Sequence, residues 1–290
     1  IEIGQWSDLL AWSQRVIDLA EGDPARGNFI AGSPLPLAVA SRGHSRYNLG
    51  QTGWRDDFEH SLAMARNADP LTYATTFTYI YIAAIPLGVV RADDRTLDEI
   101  EAASKVAEQS GDDLAVSFAR AVLGVALVHR DTAAERERGH MLLAETSDQW
   151  VSRRQNLCDL PLLEAFMARE RVRRGDRDEA MPIMHAALNR LASEGQLLAF
   201  GVPATGILVE TLVDRATDGD VAEAETATEQ LAAASAELGG VQDVWVLRLR
   251  SLVARAHGDE PGYRDYRDRY RKMATDLGFE GHMQWAEEMP

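Results

Sequence analysis

Cysteine is all but missing from this chain of 290 residues: Cys158 stands alone. No internal disulfide can form, and a reducing cytoplasm is the simplest setting. Lysine is nearly absent too, with Lys105 and Lys272 the two examples, so arginine carries almost all the positive charge. Even so, positive charge is scarce: 30 Lys and Arg stand against 46 Asp and Glu, a net charge of −16. Such a balance disfavours phosphate backbones and anionic lipid, so neither nucleic acid nor membrane is an expected partner. An uncharged run of membrane-spanning length does occur, LTYATTFTYIYIAAIPLGVV (71–90). Its threonines, its tyrosines and Pro86 fit a buried helix better than a lipid-facing one. The chain opens on Ile1 without an initiator Met or a signal-peptide pattern, and it reads as a fragment of a longer protein.

Catalytic signatures are also lacking. There is no G-x-x-x-x-G-K-[ST] nucleotide loop, and the seven histidines never adopt H-E-x-x-H spacing. Cys158, flanked by Leu157 and Leu160, reads as an inert, buried thiol. From these gaps we expect no catalytic residue, no bound metal and no cofactor. The strongest competing pattern is acidic. Asp93, Asp94 and Asp98 could hold a divalent cation in an all-α enzyme, in which case they must converge on one pocket. Asp93-Asp94 and Asp56-Asp57 both stand at expected helix starts, however, where capping and the helix dipole favour acids.

What the sequence does contain is helical periodicity from end to end, with weak strand signals. Three stretches align without gaps on a Gly-Asp pair: RRGDRDEAMPIMHAAL (173–188), TDGDVAEAETATEQLA (217–232) and AHGDEPGYRDYRDRYR (256–271). A fourth, QTGWRDDFEHSLAMAR (51–66), resembles them. The glycine is expected to end one helix in the left-handed conformation, and the aspartate to cap the next. On this reading Arg174-Gly175-Asp176 marks a turn and is not an adhesion triplet. Seven-residue spacing then places Phe58, Ala180, Ala224 and Tyr263, with Ala65, Ala187, Leu231 and Tyr270, on shared core faces. Turns near residues 53, 93, 131, 175, 219 and 258 divide the chain into about six helix–turn–helix units. An unpaired helix near 5–20 precedes them, which implies a partner upstream, and a short helix near 281–289 follows. The expected fold is all-α: a right-handed α-solenoid over residues 34–290. Residues 1–33 form the leading helix and a Gly/Pro-rich joint.

The spacing resembles tetratricopeptide-like repeats. Gly53, Phe58 and Pro70 fit the family's turn glycine, small position and closing proline, with Phe in place of the small residue. Gly175 with Ala180 and Gly219 with Ala224 fit the first two positions without the proline, Gly258 fits the turn alone, and the period is longer than in the family. The ending YRDRYRKMATDLGFEGHMQWAEEMP, with LPLAVASRGHSRYNLGQTGWRDD near the start, is similar to the C-terminal helical region of large actinobacterial regulators. That resemblance implies a cytoplasmic signalling protein with an ATPase, nucleotide-cyclase or other regulatory domain upstream in cis. Tetratricopeptide-like repeats bind along a concave groove lined by their first helices. Carrying the groove positions over gives Tyr47, Arg169, Trp245, Arg248 and Arg255 as polar or aromatic candidates, among small residues such as Gly43 and Gly206. The implied ligand is a protein, a peptide or a small effector. A dimer built through exposed solenoid ends is a further possibility. The tyrosine–arginine stretch 263–272 reads as a packed tyrosine face carrying solvated ion pairs.

Overall fold

A computed structural model describes residues 3–24, 26–27, 33–236 and 238–289, with the side chain of Asp218 left aside. Among the described residues the regular elements are helices, and no strand occurs. The chain divides into two compact units, one gathering Gln5–Pro86 and Ala92–Thr146, the other Leu87–Arg91 and the chain from Ser147 onward. The division falls at residues 86/87, 91/92 and 146/147. The Gly/Pro-rich joint expected before residue 34 lies partly outside the described residues.

The first unit holds α1 (Trp6–Ala20), α2 (Pro34–Asn48), α3 (Trp54–Arg66), α4 (Pro70–Ala84), α5 (Asp94–Ser110), α6 (Asp113–Leu127) and most of α7 (Ala133–Arg153). Each helix from α1 to α5 packs on the next, and α4 also packs on α2 and on α6. The second unit holds α8 (Leu160–Arg173), α9 (Arg177–Ser193), α10 (Gly201–Arg215), α11 (Asp218–Ser235), α12 (Val241–Ala256), α13 (Glu260–Leu277) and α14 (Glu280–Glu287). Here α10 packs on α8 and on α12 in the same way, again beside the contacts between consecutive helices.

Composition explains this layering. α4 contains no charged residue and buries 11 of its 15 positions, while α13 is crowded with Arg and Asp and buries only Tyr263, Tyr270 and Ala274. α2, α4, α6 and α10 can be covered on several sides because they carry few charges to desolvate. Odd-numbered helices keep one apolar stripe. In α3 it is Trp54, Phe58, Ser61, Leu62 and Ala65, spaced as one helical face. The eight shared core positions expected from the sequence, from Phe58 to Tyr270, are all at most 5% exposed. Charges at 263–272 pair on the surface, as in Arg264–Glu260 at 2.7 Å and Arg269–Asp265 at 3.2 Å.

Two expectations about helix ends need correcting. The uncharged run ends as a helix at Ala84, before residue 90: Ile85 still holds helical angles, φ −70° and ψ −54°, but Pro86 lacks the N–H that would carry the ladder onward. Gly219 does not end a helix. α10 stops at Arg215, Ala216 takes the left-handed conformation at φ 56°, and Thr217 caps α11 through a capping box with Asp220. Gly219 is already helical, and Asp220 is the third residue of the helix. Gly175 and Gly258 do take positive φ, +100° and +73°, and Asp259 accepts the Gly262 N–H at 3.1 Å as a cap should. Asp176 occupies the cap position of α9 without a side-chain cap bond. At 51–66 the roles are split: Gly50 follows the end of α2, while Gly53 is the N-cap of α3, both at positive φ.

Candidate functional site

Of the five groove candidates, Tyr47 lies in the first unit and is wholly buried. Its hydroxyl donates to Nδ1 of His44 at 2.6 Å, and His44 Nε2 donates to the Tyr79 carbonyl at 2.9 Å. A ring that donates from Nε2 and accepts at Nδ1 is a neutral imidazole. Burial pushes the His44 pKa down to about 3 and drives that of Tyr47 upward. Phe58 and Tyr79 meet the His44 ring edge-on, with centroids at 5.0 and 5.2 Å, and Trp54 stacks edge-on against Tyr47. Gly43 belongs to this cluster, since a Cβ there would lie 2.7 Å from the Phe58 ring. Its smallness serves helix packing. Tyr47 therefore offers no surface to a ligand.

Trp245 is likewise packed inside its own unit, the second. It is 4% exposed and lies against Gly206, where a Cβ would come within 2.2 Å of its ring. Its indole N–H donates to the Leu87 carbonyl at 3.1 Å. The rings of His282 and Trp285 meet it edge-on, with centroids 5.2 and 5.5 Å away. Arg248, one helical turn along α12, places its guanidinium 5.5 Å from the Trp245 ring and 5.2 Å from the Trp285 ring, and it forms an ion pair with Glu210 of α10. Burial opposes the Arg248 charge, but Glu210 and Tyr270 together more than offset it and raise the pKa. The Tyr270 hydroxyl sits 3.0 Å from both Nδ1 and the carbonyl oxygen of His282. Burial first, and then the nearby guanidinium, hold the His282 imidazole neutral.

Trp245 and Arg248 thus belong to a buried polar–aromatic cluster that the sequence offsets did not assemble. His282 and Trp285 stand three residues apart on α14, and that i, i+3 aromatic pair was a legible signal. The other two candidates are accessible to different degrees. Arg169 is half-buried, with its guanidinium 4.8 Å above Phe166. Arg255 is exposed and lies 5.7 Å from the Tyr263 ring. The five residues are therefore not one surface: two are core, one is an ion pair at the edge of the core, and two retain contact with solvent.

The acidic candidates do other work. Asp93 caps α5 by accepting the Thr96 N–H at 2.8 Å, and Asp94 pairs with Arg130. Among the described residues no three His, Cys, Asp or Glu side chains gather in a metal-holding arrangement. Cys158 is half-buried, less enclosed than expected. In the second unit an open cleft of about 300 Å³ runs over α11, α12 and α13 past Glu225, Arg250, His257 and Tyr266. Within the cleft Arg250 pairs with Glu229 at 2.7 Å, and His257 Nε2 lies 3.4 Å from Glu225. Among the described residues no helix is long and apolar enough to cross a membrane. No protein-family model matches the chain, and comparison with curated proteins finds no match either.

Proposed function

We propose that this chain is a non-catalytic interaction or sensor module: a right-handed α-solenoid of about six tetratricopeptide-like hairpins. It would serve a larger cytoplasmic signalling protein and convey binding to an ATPase or other regulatory domain in cis. The observation that carries this reading is the layering of the helices. In each unit the first helices of the expected pairs pack on one another, while their second helices keep a charged outer face. Repeats that stack on their neighbours need this arrangement, because each hairpin buries its apolar face against the adjacent one.

The ligand is a protein segment, a peptide or a small effector. With Tyr47 and Trp245 committed to packing, its contacts fall to Arg169 and Arg255, with Arg248 reached only at the edge of its pair with Glu210. Arginines braced against aromatic rings are pre-organised for carboxylate recognition. The test is affinity capture from the source cells with the wild-type chain and with an Arg169→Glu/Arg255→Glu variant, read by mass spectrometry for proteins and metabolites. A component retained by the wild type and lost from the variant, at unchanged melting temperature, is the expected result. Equal retention by both would remove these arginines from the binding surface.

A further inference from the structure

The segment Leu87–Arg91 lies between α4 and α5 in sequence, both of the first unit, yet it groups with the second unit. Three consecutive carbonyls of this segment are occupied by that unit. Leu87 O accepts from the Trp245 indole at 3.1 Å, Gly88 O from the His282 N–H at 3.0 Å and Val89 O from the Glu280 N–H at 3.0 Å. The last two donors belong to the first turn of α14, whose N–H groups have no partner within their own helix. Phe279, at the N-cap of α14, supplies no side-chain cap. The fit depends on two glycines. Gly88 has φ +71°, and a Cβ there would lie 2.6 Å from Trp285 and 2.9 Å from His282; a Cβ on Gly281 would lie 2.9 Å from the Gly88 backbone. Leu87 and Val89 are buried, while Arg91 is exposed.

We propose that Leu87–Arg91 and the first turn of α14 form a latch that opens and closes as a local unit, with the Trp245 indole as its pin. Three backbone carbonyls and the buried side chains of Leu87 and Val89 hold the segment, and α14 is only eight residues long, too short to persist unsupported. Each half therefore completes the other: the segment caps the helix, and the helix satisfies the segment. Small elements joined by a few bonds of this kind open at lower cost than the helical core around them. His282 and Arg248 flank the pin, so changes at either are felt directly at the latch.

Arg91 gives a readout. Trypsin cuts after an exposed arginine only when several flanking residues can leave their places, and Arg174, in the exposed α8–α9 turn, serves as an internal reference. In the full chain, cleavage at Arg91 should be slower than at Arg174. Trp245→Phe removes the pin's donor while keeping a ring in place. Gly88→Ala drives a Cβ into Trp285 and His282. Both variants should raise the rate of cleavage at Arg91 on the order of five-fold or more, leaving cleavage at Arg174 unchanged. If either variant fails to accelerate cleavage at Arg91, or accelerates cleavage at Arg174 equally, the latch is wrong.

Discussion

Tyr47 and Trp245 show how one residue type can serve two readings. Both have the size, ring and polar handle of an interface anchor, and both are packed into a core where the polar handle has found a partner. Truncating either to alanine should cost about 3–5 kcal/mol in urea unfolding, the range for emptying a buried aromatic site. Arg255→Ala should stay within about 0.5 kcal/mol, as exposed substitutions do. Gly206→Ala tests the same packing from the other side. Its added methyl meets the Trp245 ring, and overpacking of this kind costs about 1–3 kcal/mol, visible as a lowered urea midpoint. The small residues of the expected groove were legible as sites of close approach. Whether the approaching group was a ligand or a side chain was not, because that depends on which helix lies opposite.

At the scale of the element, the Gly-Asp pairs carry a sharper lesson. Core positions five and twelve residues after the glycine are buried in all four stretches, so the apolar register was readable. Turn chemistry did not repeat with it. Around residue 217 a capping box starts α11 early and a left-handed Ala216 replaces the glycine, so the same two letters sit inside the helix. A period of seven in the core survives such a change because it is set by facing helices, whereas a turn is set by a few local bonds. Melting curves for four alanine variants would separate the roles. Gly175→Ala and Gly258→Ala should lose about 1–2 kcal/mol for placing a Cβ at positive φ. Gly219→Ala, with open space around it, should be neutral or gain up to about 1 kcal/mol. Thr217→Ala should cost about 1 kcal/mol through loss of the cap.

At the scale of the whole chain, each unit encloses one neutral histidine against a tyrosine hydroxyl, His44 in the first and His282 in the second. Both have pKa values lowered by burial, so the unfolded chain binds protons there before the folded chain does. Stability is therefore fully present above the unfolded histidine value of about 6.5 and declines as pH falls below it, continuing towards the folded value of about 3 for His44. Urea unfolding between pH 7.5 and 4.5 should show that decline, and His44→Phe, which removes the titrating group, should flatten part of the slope even if it lowers stability overall. Helix content and helix order could be read from periodicity alone. The division into units could not, because one of its boundaries falls within α7, where the sequence carries no break, and another assigns the short segment 87–91 away from its flanking helices. The proposed repeat architecture requires α2, α4 and α6 in the first unit, and α10 and α12 in the second, to form the protected layer. Peptide-resolved hydrogen exchange on the intact chain tests this directly. It should find α2, α4, α6, α10 and α12 exchanging at least about ten-fold more slowly than α3, α5, α9 and α13. Uniform protection, or slower exchange in the odd-numbered set, would contradict the layered arrangement and with it the proposed repeat architecture.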